Sequence, residues 1–169
     1  MTVEVPKFID ENEIEEYVPH RGKMLLLSRI TDYDLDRRIV TCEYDITENC
    51  IFYDKEGSGI PSWVGFELMA QTICTLTGIA HKLLGTEVLP GMILSVTNFK
   101  TKTDWLKCGT TVRIKMTEDY RDDEDSLYNY SGELWTSDGG GEPAVTAKIS
   151  VIEIESFEKL NEIRGRYVE

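Results

Sequence analysis

Between Ile60 and Ala80 the chain reads IPSWVGFELMAQTICTLTGIA, an uncharged run interrupted once, by Glu67. It opens on Pro61 and Ser62, residues suited to a helix start, and is long enough for about five turns. Apolar residues occur all round it rather than on one stripe, which predicts a helix wrapped by protein on most sides. A carboxylate in that setting is costly. Without a partner it takes up a proton or shifts its pKa by several units, and such groups concentrate at sites of proton transfer. The structural alternative is a buried Glu67 hydrogen-bonded to Gln71 one turn on, with no chemistry attached.

The run does not read as a membrane span. It contains Glu67, Gln71 and four hydroxyl residues, has no Lys or Arg cluster close on either side, and is flanked by strand-like sequence. The N-terminal MTVEVPKFIDENEIEEY is acidic with no apolar signal core, which predicts a cytoplasmic protein. A length of 169 residues, 41% hydrophobic and 29% charged, predicts one domain over 1–169 with an adequate core. Cys42, Cys50, Cys74 and Cys108 stand far apart with no C-x-x-C pair, so reduced structural thiols are expected and zinc is not. A net charge of -13 argues against general nucleic-acid binding, which needs a surplus of Lys and Arg. An acidic partner remains open through a local basic patch at Lys100, Lys102 and Lys107, or at Arg37 and Arg38.

Around the long run the chain has no repeat and no linker-like segment. A short acidic helix is predicted from about Asp10 to Tyr17, capped by Asp10. MLLLSRITDYDLDRRIVTCEYDI reads as two strands about a turn at Asp34 to Arg37, with Leu25 to Leu27 buried and Val40, Cys42 and Tyr44 alternating inward. A loop from Thr47 to Gly59 leads into the helix. After Gly85 come four strand-like segments, MILSVTNFKTKT, TTVRIKMTEDY, SLYNYSGELWTS and PAVTAKISVIEIE, and a short helix is predicted from Ser156 to Ile163. A lone hydrophobic helix among six strands is α+β, best buried by a curved antiparallel sheet wrapped around it, the hot-dog arrangement. The edges of such a sheet need covering, so a dimer with a continued sheet is expected.

The run Gly65-Phe66-Glu67-Leu68-Met69-Ala70-Gln71, preceded by Pro61, resembles the start of the central helix in hot-dog 3-hydroxyacyl-acyl-carrier-protein dehydratases. Upstream, Val18-Pro19-His20-Arg21 and then Met24-Leu25-Leu26-Leu27-Ser28-Arg29-Ile30 resemble the Leu-Pro-His-Arg and Leu-Leu-Val-Asp-Arg segment of the same enzymes. The Pro-Ser-Trp-Val-Gly before the Glu is most similar to dehydratase-like subunits of aryl polyene pigment pathways. One departure stands out. In the ordinary enzymes a catalytic His sits fourteen residues before the Glu, and here that position is Tyr53. The chain has only two histidines, His20 and His81; His81 lies about four turns along the helix from Glu67, too far to share its site. His20 is left as the candidate base, with a structural role in its Pro-His-Arg turn as the alternative, while Tyr53 suits hydrogen bonding or space-filling better than proton abstraction.

What the resemblance implies is loss of water from a 3-hydroxyacyl thioester carried on the phosphopantetheine of acyl carrier protein. His20 and Glu67 are the expected catalytic pair, Glu67 protonated and acting as the acid. Gly65, Gln71, Tyr53 and Trp63 are the expected substrate-binding residues, Gly65 through its backbone N–H at the helix start and Gln71 by orienting Glu67. No metal or organic cofactor is implied. Two alternatives stand beside this one: an acyl thioesterase, which places a carboxylate on the same helix, and a partner subunit whose Glu67 faces a His from a second hot-dog chain. The dimer is accordingly expected to be a homodimer or a heterodimer.

Overall fold

The computed structural model of the chain describes residues 4–139 and 141–154, so the helix predicted from Ser156 to Ile163 lies outside the described residues. Eight strands and one long helix follow in the order β1 (Arg29–Asp34), β2 (Ile39–Asp45), β3 (Gly59–Pro61), α1 (Gly65–Leu84), β4 (Gly91–Thr101), β5 (Trp105–Lys107), β6 (Thr111–Asp122), β7 (Leu127–Thr136) and β8 (Val145–Glu153). Six of them form one antiparallel sheet ordered β1-β2-β6-β7-β8-β4, and β3 with β5 makes a separate two-stranded ladder. The helix packs on the large sheet against β2, β4, β6, β7 and β8. This is the α+β arrangement expected from the order of elements.

The sheet's inner face follows from residue alternation. Val40, Cys42 and Tyr44 point inward from β2, Val112, Ile114 and Met116 from β6, and Tyr128, Tyr130 and Leu134 from β7, all buried. Each large apolar side chain so covered contributes about 1.5–3 kcal/mol. Two glycines set how closely the helix lies. A Cβ on Gly78 would stand 1.9 Å from the backbone oxygen of Tyr17, and one on Gly132 of β7 would stand 2.7 Å from Met69 Sδ of the helix. Only a missing side chain permits these approaches.

Three local expectations are corrected. The helix runs Gly65–Leu84 rather than 60–80, because Gly59–Pro61 pairs with Trp105–Lys107 and a 3-10 turn, Ser62–Val64, intervenes. At the other end Gly85 adopts the left-handed conformation, φ 69°, and its N–H closes on the helix carbonyls. The acidic helix shrinks to a 3-10 turn, Ile14–Glu16, since the Asp10 carboxylate accepts from the N–H of Asn12 and holds that stretch in a turn. Burial is also uneven around α1. Leu68, Met69, Thr72, Ile73, Thr75, Leu76 and Ile79 are buried, whereas Phe66, Glu67, Ala70, Cys74 and Thr77 form a partly open stripe at helical spacing. No helix among the described residues is long and apolar enough to cross a membrane.

Candidate active site

The open stripe of α1 is one wall of a cavity of about 290 Å³. The opposite wall comes from the start of β4, at Met92 and Ile93, and from Tyr128, Val151 and Ile152 of β7 and β8. His20 and Glu67 line it together, with His20 Nε2 3.9 Å from Glu67 Oε1. That is longer than a hydrogen bond, so the two heads share a space without being locked to each other. Both side chains are mostly buried, 24% and 23% exposed.

Each head is held by its neighbours in sequence. The guanidinium of Arg21 donates to the carbonyls of Val18 at 2.6 Å and His20 at 2.7 Å, which closes the Pro-His-Arg turn. Gln71, with no exposed surface, is the tie between that segment and the helix. Its side-chain oxygen accepts from Leu26 N–H at 2.9 Å, and its amide donates to Met24 O at 2.9 Å and to Glu67 Oε1 at 2.8 Å. The expected Gln71–Glu67 pair is therefore present, and the same side chain docks the segment after His20 against α1. Burial lowers the pKa of His20 below its ordinary value, with the Glu67 carboxylate opposing and Arg21 reinforcing the shift. The net effect disfavours the imidazolium form of His20. Its Nδ1 is buried with no hydrogen-bond partner among the described residues. Cys74, about two turns along α1 in the same wall, is kept as a thiol, its pKa pushed up to about 12 by burial and by Glu67.

Three other expected contacts fall elsewhere. Tyr53 is not in the cavity wall; its hydroxyl is 3.5 Å from Glu48 in the preceding loop. Trp63 is 49% exposed and stacks edge-on against Phe52, ring centres 5.5 Å apart, outside the cavity. Gly65 faces the sheet: a Cβ there would meet the Val145 side chain at 3.2 Å, and its N–H donates to Ser62 O. The basic patch is likewise dispersed, Lys102 pairing with Glu142 and Lys107 donating to Gly57 O at 2.8 Å. Sequence reasoning missed the strand-borne wall, Met92, Tyr128 and Val151 to Glu153. On the helix, the spacing 67, 70, 74, 77 was the signal available for Ala70, Cys74 and Thr77.

A long helix packed on a curved antiparallel sheet is the hot-dog arrangement, and here a carboxylate and an imidazole share one end of its cavity. The relatives narrow the class. Residues 12–162 match the ApeP-like family, described as ApeP dehydratase, and the chain belongs to that family. Its structure is similar to a chain of the dehydratase heterocomplex ApeI:P from Xenorhabdus doucetiae, with 21% identity, TM-score 0.77, and coverage of 89% of this chain and 95% of that one. It is also similar to a hypothetical thioesterase solved with coenzyme A from Streptococcus pneumoniae TIGR4, at 12% identity, TM-score 0.54, covering 74% and 84% of the two chains. The E. coli PaaI protein of the phenylacetic acid degradation operon is comparable, at 9% identity, TM-score 0.54 and coverage of 75% and 79%. At these identities the solved structures carry the fold, and the family carries the dehydratase assignment.

Proposed function

We propose that this protein removes water from 3-hydroxyacyl thioesters carried on acyl carrier protein, giving trans-2-enoyl thioesters in cytoplasmic fatty-acid-like or polyene biosynthesis, with residues 1–169 acting as one hot-dog domain. The observation that carries the proposal is the pairing of His20 and Glu67, 3.9 Å apart, at one end of an apolar cavity. His20, neutral because burial disfavours its cation, takes the proton from the carbon beside the thioester carbonyl. Glu67 gives a proton to the departing hydroxyl as the carbon–oxygen bond breaks and the carbon–carbon double bond forms. Water leaves, and the proton on His20 returns to Glu67 across the short gap between them. The positive end of α1 begins two residues before Glu67 and favours the charge that develops on the thioester oxygen. Gln71 is a positioning residue in this scheme, tying Glu67 to the Met24–Leu26 segment.

A second reading is favoured by Tyr53 at the position where the ordinary enzymes carry their His, and by the ApeI:P heterocomplex of a structural neighbour. In it, another hot-dog subunit supplies the base and Glu67 serves a shared site. Strand β4 is the face for such a partner: among the described residues it pairs with β8 alone, and most of its residues are exposed. Enoyl formation from a 3-hydroxyacyl carrier substrate, followed by mass spectrometry, separates the two. An active lone chain that loses turnover in His20→Ala supports the first reading, and activity that appears only with a partner supports the second. Glu67→Gln falls by about a hundredfold or more in either case, and unchanged turnover in that variant refutes both.

A further inference from the structure

The far end of the cavity holds a pair that this chemistry does not use. Glu153, the last residue of β8, lines the cavity, and its Oε1 lies 3.2 Å from Nε2 of His81. The two side chains are 15% and 18% exposed. The other ring nitrogen, Nδ1, is 2.7 Å from the hydroxyl of Thr86, just past the glycine that ends α1. Beyond the pair lies a second cleft of about 210 Å³, rimmed by Arg38, Arg121 and the exposed Leu84. Thr77 and Glu153 line both spaces, so one layer of side chains divides them. Beside that layer the Tyr128 ring, another wall of the cavity, is stacked under the Arg121 guanidinium, 4.2 Å from its centre.

We propose that the Glu153–His81 pair is the end stop of an acyl cavity and sets the longest hydrocarbon chain the protein accepts. The inference rests on the reading of the cavity as the acyl site. From Glu67 to the pair, the walls offered to a chain are Ala70, Ile73, Met92 and Ile93, and each methylene buried among them is favourable. At the stop, a methyl end meets a carboxylate. To go further the chain must part the pair and leave a mostly buried carboxylate without its imidazole, a loss that several added methylenes do not offset. Thr77 stands ten residues beyond Glu67 on α1. At helical rise that is about 15 Å, room for roughly ten to twelve carbons of a staggered chain at ~1.3 Å per bond.

The test is binding rather than turnover. Saturated acyl-pantetheine thioethers, spanning about six to sixteen carbons, are titrated calorimetrically into the protein in the assembly in which it purifies. Affinity rises about fourfold per added methylene up to the stop and then ceases to rise. In Glu153→Ala the two spaces join and the break moves out by about three carbons or more, whereas Glu153→Gln, still able to bond His81, keeps the break in place. Thr77→Leu fills the dividing layer from the helix side and brings the break in by about two carbons, a check that does not depend on Glu153→Ala folding. A break that stays fixed in Glu153→Ala or in Thr77→Leu, or its absence in the unmodified protein, overturns the end stop. Length-dependent binding with the predicted shifts but no dehydration in any assembly refutes the proposed function and leaves the end stop standing.

Discussion

Replacing Gln71 by Leu removes three hydrogen bonds while keeping the side chain's size, and the structure fixes what that should cost. The Leu26 N–H is left buried without an acceptor, an orphaned donor worth about 1–3 kcal/mol. Met24 is half exposed, so water can reach its carbonyl and the loss there is small. Glu67 loses the amide donor at 2.8 Å, about another 1 kcal/mol. The sum, less a small gain from the apolar replacement, is about 2–4 kcal/mol, or roughly 5–15 °C in midpoint at ~2–4 °C per kcal/mol. Scanning calorimetry and urea titration measure it directly. A cycle with Glu67→Ala then isolates the Gln71–Glu67 coupling, which should lie near 1 kcal/mol. A loss below about 1 kcal/mol in Gln71→Leu would show that the Met24–Leu26 segment is not docked through this amide, and with it would go the account of how His20 is brought to the helix.

Gly78→Ala should destabilise even though Ala is the better helix former by about 1 kcal/mol, because its Cβ would collide with the Tyr17 carbonyl backbone; a raised melting temperature would show that the close approach is wrong. The lowered pKa of His20 has a signed consequence for stability. Unfolded His20 binds a proton more readily than the folded residue, so its contribution is constant above the ordinary His value near 6.5 and stability falls as pH drops below it. Denaturant titrations from neutral to mildly acid pH should show a part of that slope disappear in His20→Ala, and an unaltered slope would place His20 in a solvent-like environment.

The helix and its carboxylate were legible because an uncharged run with one Glu has few places to go in a folded chain. Its start was misread because Pro61 suits both a first helical turn and a strand end, and the deciding partner, Trp105–Lys107, lies over forty residues away. His20 and Gln71 were legible as residues, but not the hydrogen bonds that join them, since those run through backbone atoms of Met24 and Leu26. Glu153 and Tyr128 had no local signature at all. Each occupies one position in an alternating strand, and only the pairing of β7 with β8 and of β8 with β4 brings them opposite the helix stripe. Gly65 was ambiguous for a related reason: a glycine at a helix start fits close approach of a ligand and close approach of a sheet equally well, and the sheet neighbour here is Val145.

The unpartnered nitrogen of His20 ties the two forms of the catalytic reading together. For Nε2 to accept a proton from substrate, the ring must carry its own proton on Nδ1, and that nitrogen is buried with no acceptor among the described residues. A buried N–H without an acceptor costs about 1–3 kcal/mol, which holds the base-competent tautomer to a minor fraction, about five- to 150-fold down. Bases of this kind normally have their second nitrogen oriented by a carboxylate or carbonyl. A lone chain working through His20 should therefore be slow, and a second hot-dog subunit can raise its rate either by an acceptor for Nδ1 or by a His of its own. Mixing the chain with a hot-dog partner that carries the catalytic His fourteen residues before its Glu, and repeating the experiment with that partner's His changed to Ala, distinguishes these. Rate recovery that survives the partner's change but vanishes in His20→Ala assigns the base to His20; recovery that vanishes with the partner's His assigns it to the partner. A lone chain as fast as the mixture would refute the tautomer argument, because it would mean that the bare Nδ1 imposes no cost on turnover.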